Sequence, residues 1–315
     1  MALPTDALAT YAAIGRRESL EDEIYLVDPI DTPLLSSVAH ITGEATLIEW
    51  QTQALAAADG ANAVLEGDDG TTTARTVTVR ESNTLQISDK ISYVSGTQQA
   101  VVSAGRSDEL SYQVGLDKLA LKRDLETILL RNQQEATGDS TTARTLGALP
   151  SWLTSNVSRG VGGSNGSRGN TTATDGTARA LTETMFKTVE RSIWDNGGKP
   201  DLIMLGSFNK GVFSAFSGNA TRMKSAEDKT LVATIDMWDG DFAKAKVLPN
   251  RFQRARELWL LEQRMLAVAF LRGRNMVTQD LSKTGDSDRR QSLSEYTLIV
   301  RNQQALGVVA DLTVS

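Results

Sequence analysis

The last 35 residues constrain this chain more than any other stretch. A charged segment, Lys283 to Arg290, feeds two β-type runs, Ser292–Val300 and Ala305–Leu312, with the short polar connection Arg301–Gln304 between them. The first run is rich in β-branched and aromatic residues, and two such runs around a short link predict a hairpin. The chain ends almost where the second run ends. Its terminus is therefore expected to be ordered in a sheet and not to serve as a tail or an address signal.

With 315 residues the chain can bury one large core or two smaller ones. Its aromatic content of only 5% suggests that much of it is extended surface structure. No apolar run approaches the roughly 18 residues of a membrane span. Met1-Ala-Leu-Pro-Thr-Asp lacks the basic and long apolar regions of a signal peptide. The absence of cysteine excludes disulfides, thiolate metal sites and cysteine nucleophiles. A net charge of −6 argues against general nucleic-acid affinity, which needs clustered Lys and Arg. It does not argue against a container, whose inner wall need not bind tightly what it encloses.

Residues 1–43 read as an arm. Ser19–Val27 could form a short helix, and Asp28-Pro29 and Thr32-Pro33 each break the chain. Residues 44–95 read as an extended hairpin. Leu47, Ile48 and Trp50 lie on one arm, Val77, Val79, Leu85, Ile87 and Ile91 on the return, and a small, acidic linker between. A lone hairpin is marginally stable in water, so a ribbon this long needs a surface to lie on. Residues 107–136 predict the strongest helix. Ser107 is placed as its cap, with Leu110, Val114, Leu121, Leu125, Ile128 and Leu129 in one stripe and Gly115 the one weak residue. Its opposite face is read as Lys118, Lys122, Arg123, Glu126 and Arg131, either solvated or in contact with a neighbour. Residues 154–179, rich in Gly, Ser, Thr and Asn, read as a flexible surface loop or a partly disordered connection. Residues 181–275 predict a compact α+β unit. It has a helix opened by Thr182 and stopped by Asn196-Gly-Gly-Lys-Pro, a buried strand Asp201–Leu205 and a second helix Ser207–Phe216. A hairpin follows around Asp239-Gly240, then apolar runs Glu257–Glu262 and Met265–Leu271.

Catalytic chemistry finds little footing. His40 is the sole histidine, so neither a Ser-His-Asp triad nor a conventional zinc site can be assembled, and it reads as structural. Glu66-Gly-Asp-Asp-Gly and Asp239-Gly-Asp lack the oxygen spacing of a calcium loop and read as turns. Gly160-Val-Gly-Gly-Ser-Asn-Gly lacks the Gly-Lys-Ser/Thr of a phosphate loop. Arg289-Arg290, beside Asp286 and Asp288, reads as a solvated turn or an ion-pair contact to a neighbour. A hydrolase built on a carboxylate pair would need two convergent acids in a pocket, and no such constellation stands out. No cofactor or metal is expected.

The ending KTGDSDRRQ…EYTLIVRN…GVVADL resembles that of tailed-bacteriophage major capsid proteins with the Hong Kong 97-type fold. Asp31-Thr-Pro-Leu-Leu, Glu49-Trp-Gln-Thr, Asn62-Ala-Val-Leu-Glu-Gly, Lys122-Arg-Asp-Leu-Glu and Thr145-Leu-Gly-Ala-Leu fit the same family in the same order. The resemblance implies an α+β fold with an N-terminal arm (1–43) and an extended loop (44–95). A peripheral domain (96–180) would carry the spine helix, followed by an axial domain (181–275) and a C-terminal hairpin (276–315) returning to the peripheral domain. It also implies a virion subunit that self-assembles into hexamers and pentamers around double-stranded DNA in the host bacterial cytoplasm. Portal, scaffolding and decoration proteins would be its partners. An encapsulin-type shell with an enzyme cargo is the alternative. Candidate inter-subunit contacts are Trp50, Val77 and Val79 on the ribbon, and the acidic tip Asp59, Glu66, Asp68 and Asp69 against Lys118, Lys122 and Arg123. Arg289 and Arg290 complete the set. Only some 43 residues precede the ribbon, without a heptad pattern, so separate scaffolding is expected. Residues 56–74 contain no lysine, so a shell held without isopeptide cross-links is expected too.

Overall fold

Ser292–Val300 is buried at every residue, which places it inside a sheet covered on both faces. The structure, a computed structural model, describes residues 30–70, 75–101, 103, 105–216 and 237–315. The predicted helix Ser19–Val27 lies outside them. Along the chain run α1 (Pro33–Ser37), β1 (Ala39–Gly43), β2 (Leu47–Thr52), β3 (Val79–Thr84), β4 (Gln86–Ser95), α2 (Gly96–Ala100) and α3 (Glu109–Leu130). There follow α4 (Leu149–Trp152), β5 (Val157–Ser158), α5 (Glu183–Asp195), β6 (Leu202–Leu205), α6 (Ser207–Ser214), β7 (Met237–Asp239) and β8 (Lys244–Pro249). The chain closes with β9 (Leu258–Leu261), β10 (Leu266–Leu271), β11 (Val277–Asp280), β12 (Ser287–Val300) and β13 (Gly307–Val309).

β12 organises the first sheet. It pairs antiparallel with β4 over Ser287–Tyr296, with β10 over Tyr296–Val300 and with β11 over Arg290–Leu293, and β1 adds in parallel to β10. The predicted C-terminal hairpin is therefore not formed. β13 instead joins a second sheet, in the order β5-β13-β9-β6-β8-β7. The true hairpin is β11–β12, and the charged segment at Lys283 is its turn. The return arm of the ribbon is likewise shorter than predicted, because Ile87 and Ile91 belong to β4, which pairs with β12 across ten residues.

The spine helix α3 runs 109–130 and not 107–136, about 33 Å at 1.5 Å per residue. Its cap is Asp108, whose side chain accepts from Leu110 N–H at 3.1 Å and Ser111 N–H at 3.3 Å. It stops where the leucine stripe stops. Asn132 and Gln133 turn their amides to distant backbone, Asn132 to Ala173 and Gln133 to the Leu146 carbonyl, instead of continuing the helix. Leu121, Leu125, Leu129 and Leu130 are fully buried against Leu266, Val268, Tyr296 and Leu298 of the sheet. Each such leucine contributes about 1.5–3 kcal/mol relative to exposure.

The second sheet is apolar on both faces. Leu202, Met204, Trp259, Leu261 and Val308 point into the core beneath α3, while Ile203, Leu205, Leu258, Leu260 and Val309 point toward Phe186, Val189 and Ile193 of α5 and Phe213 of α6. That is why β6 and β9 read as unbroken apolar runs. The predicted 181–275 unit is thus redrawn. Its sheet takes β5 from before it and β13 from after it, and gives up β10 to the first sheet. Local punctuation was read correctly there: Thr182 caps α5 through Met185 N–H, Gly197 takes φ +84° at its end, and β7 and β8 pair around Asp239-Gly240. Residues 217–236, including the start of the strand expected ahead of Asp239-Gly240, lie outside the described set.

The Gly-rich stretch 154–179 is pinned, contrary to the flexible loop expected. β5 pairs with β13, Ser164 bridges Thr174, and Gly160 N–H donates to Asp311 at 3.0 Å. Its glycines serve close approach: a Cβ on Gly160 would lie 2.0 Å from the Thr177 carbonyl oxygen, and one on Gly166 2.5 Å from that of Ser151.

Candidate assembly surface

The ribbon is anchored at its root and free beyond it. β2 and β3 pair antiparallel from Leu47↔Thr84 to Thr52↔Val79. Asn83, fully buried, donates to the Gly147 and Leu298 carbonyls at 3.0 and 2.7 Å and accepts from Gly147 N–H at 2.8 Å. Ile48 and Trp50 lie on Ala267, Ala269 and Ile299 of the first sheet, and Trp50 meets Trp152 at 5.3 Å between ring centroids. Trp50, a candidate for a neighbour's surface, is therefore partly buried on its own chain. The distal part differs: Leu55 is 97% exposed, Leu65 80% and Val77 80%. Val64 and Val79 are exposed as well.

The charged candidates separate into two groups. Asp59, Glu66, Asp68 and Asp69 are exposed, and Asp59 accepts from Ala61 N–H at 2.9 Å. Lys118 is half-buried and Lys122 exposed on α3, and no described carboxylate pairs with either. Arg123 packs over Phe252, 5.8 Å from the ring centroid. Arg289 and Arg290 are engaged in their own chain. Arg290 pairs with Asp280 across the β11–β12 ladder at 2.7 Å, while Arg289 donates to Thr284 Oγ1 and covers Tyr93. His40 Nε2 lies 2.9 Å from the Leu35 carbonyl and its ring meets Phe270 edge-on, a packing role.

Sequence reading missed the buried charges. Glu126, assigned to the exposed face of the helix, is fully buried. Glu295 is held by Arg144 at 2.8 Å and by Arg274. A larger network ties the Gly-rich stretch to the second sheet. Arg254 bridges Asp175 and Glu257, and Arg256 pairs with Asp175 at 3.1 Å and Asp311 at 3.4 Å. Apart from the i,i+3 pair Arg254–Glu257, the partners lie far away in sequence, so no local pattern marks these residues.

Burial pushes the Glu257 carboxyl up to about 7, against the pull of Arg254 and Arg159. Its ordinary value is 4.5, so the native state binds this proton more tightly than the unfolded chain. The resulting contribution to stability is complete below about pH 4.5 and is lost as pH rises through about 7. Glu257→Gln is expected to remove that part of the pH dependence, about 3 kcal/mol between those limits. Denaturant midpoints across this range test it, and parallel pH profiles for parent and variant would refute it.

A cleft of about 190 Å³ lies at the ribbon root, between Val77, Trp152 and Gln303. Its lining has one acid, Glu81, which Arg168 pairs at 2.5 Å. A carboxylate-pair hydrolase is thus not built there. Among the described residues no cluster of His, Asp and Glu could hold a metal ion, and no helix is long and apolar enough to cross a membrane.

Arm root, ribbon, spine helix and two sheets sharing a core define a Hong Kong 97-type capsid fold. The chain superposes on the capsid asymmetric unit of cyanophage A-1(L) with a TM-score of 0.63 at 14% identity, covering 97% of this chain and 98% of that one. An encapsulin complex from Synechococcus elongatus gives 0.59 at 12% identity, covering 98% and 97%. At these identities the likeness shows the fold alone. The sequence matches the SU10 major capsid protein family over residues 4–313, and the chain belongs to that family. It is also 38% identical over 133 residues to the major capsid protein of Escherichia phage Phieco32, a match covering 42% of this chain and 38% of that protein's length.

Proposed function

We propose that this chain is a shell subunit that works by self-assembly and not by catalysis. It tiles as hexamers and pentamers around packaged double-stranded DNA in a phage head, assembled in the host cytoplasm. Portal and scaffolding proteins, and a decoration protein over the seams, are its partners. The observation that carries this reading is the ribbon, rooted by buried Asn83 and partly buried Trp50 but bearing Leu55, Val64, Leu65 and Val77, which the described residues leave exposed. Apolar side chains on an extended loop are stabilised only by another surface, and in a homo-oligomer that surface is a second copy. Negative-stain microscopy of the expressed protein, alone and with its neighbouring genes, tests the proposal. Closed shells support it, and a soluble monomer under every condition overturns it. The encapsulin alternative predicts shells filled by an enzyme and not by DNA.

The exposed acids of the tip and Lys118 and Lys122, which no described carboxylate pairs, form complementary halves of a contact between copies. Single exposed pairs are weak, but shell symmetry repeats them. Reversing Lys118 and Lys122 to Glu is expected to raise the concentration needed for assembly several-fold. Reversing Asp68 and Asp69 to Lys in the same chain is expected to restore it. Light scattering measures both, and failure of the double reversal to rescue would sink the pairing.

A further inference from the structure

Two segments noted separately in the sequence, Asp31-Thr-Pro-Leu-Leu and Lys122-Arg-Asp-Leu-Glu, meet in the fold. α1 lacks a cap of its own: Thr32 makes no capping bond through its side chain, and Pro33 has no N–H. The Ser36 N–H is satisfied by the Thr32 carbonyl at 3.0 Å. The two remaining first-turn donors, Leu34 N–H and Leu35 N–H, each donate at 2.8 Å, one to Oε1 and the other to Oε2 of Glu126 on α3. A carboxylate about ninety residues away thus supplies the missing cap.

The same carboxylate has a third partner. Asn250, the residue after β8, donates from Nδ2 to Glu126 Oε1 at 2.7 Å, while its backbone N–H donates to the Leu205 carbonyl of β6 at 2.9 Å. Glu126 is fully buried and pairs with no described cation. Burial pushes its carboxyl above the ordinary 4.5, and the three donors, one pair from the arm root and one from the end of the second sheet, oppose that shift by stabilising the charged form. Hydrogen bonds to a buried charge are the strong kind, and leaving such a charge short of donors is costly.

We propose that Glu126 is the joint that sets where α1 is held on the subunit. It fixes α1 to the spine helix and, through Asn250, makes that attachment depend on the position of the second sheet. Moving the end of β8 away from α3 removes one donor, which weakens the hold of the carboxylate and loosens α1. By reciprocity, releasing α1 loosens the Asn250 contact. The joint belongs to a single chain, whether or not that chain tiles a shell.

Amide hydrogen exchange on the full, unassembled chain tests it. Glu126→Gln puts an amide N–H₂ among donors and is expected to speed exchange at Leu34 and Leu35 by about tenfold or more. Exchange within Ser292–Val300 should stay unchanged. Asn250→Ala touches neither Leu34 nor Leu35, yet is expected to speed both several-fold. Unchanged rates at Leu34 and Leu35 in Glu126→Gln would overturn the joint. If that variant loosens Ser292–Val300 as well, Asn250→Ala decides alone, and unchanged rates there would overturn the coupling.

Discussion

A chain in which residues 53–78 are replaced by Asn-Gly, joining Thr52 directly to Val79, folds as the parent does and builds no shells. Thr52 and Val79 are already cross-strand partners, so a two-residue turn closes the ladder without strain. No described buried residue is lost, since the removed apolar side chains Leu55, Val64, Leu65 and Val77 are exposed and the root contacts of Trp50 and Asn83 remain. Assembly loses the burial of those same side chains, at about 1.5–3 kcal/mol for each one fully covered. Two of them suffice to raise the assembly concentration more than about a hundredfold, because each 1.4 kcal/mol is a factor of ten. Circular dichroism and the denaturant midpoint report the fold, and microscopy reports the shell. Shells from the shortened chain would remove the ribbon from the assembly mechanism.

What could be read from the sequence was local. The leucine stripe marked α3, Thr182 marked the start of α5, and Asp239-Gly240 marked the β7–β8 turn. What could not be read was partner choice between buried strands. Ser292–Val300 and Ala305–Leu312 looked like a hairpin because four polar residues separate them. Both strands, however, are covered on both faces, and such strands show no alternation that would fix a register. β12 is satisfied by β4, β10 and β11, and β13 by β9 and β5, so the link between them carries the chain from one sheet to the other. The candidate surface was half legible for a related reason. Trp50 and Val77 are both apolar residues on one ribbon, and only the fold shows that the first faces its own core while the second is exposed. Glu126 stood one position past Leu125 in a helix rich in charge, and its distant partners left no trace in the pattern.

Glycine carries the sharpest contrast between composition and role, and one chemical change is expected to act with opposite signs at two sites. Gly115 lies in the interior of α3, exposed, with nothing within 4 Å of where a Cβ would stand. Gly115→Ala is expected to stabilise the chain by about 0.5–1 kcal/mol, because glycine in a helix loses more backbone entropy than alanine. Gly166 sits in the stretch whose composition suggests flexibility. A Cβ there would lie 2.5–2.6 Å from the backbone oxygen and carbons of Ser151, at the end of the fully buried α4. Backbone cannot swing aside as a side chain can, so Gly166→Ala must displace either the loop or α4, with Trp152 beside it. Overpacking of this kind costs about 1–3 kcal/mol or more. The two variants should therefore move the urea midpoint of the unassembled subunit in opposite directions, with little change in slope. If Gly166→Ala leaves the midpoint where it was, the 154–179 stretch is as loose as its composition suggests, and the network that joins it to Asp311 and Glu257 is not holding it.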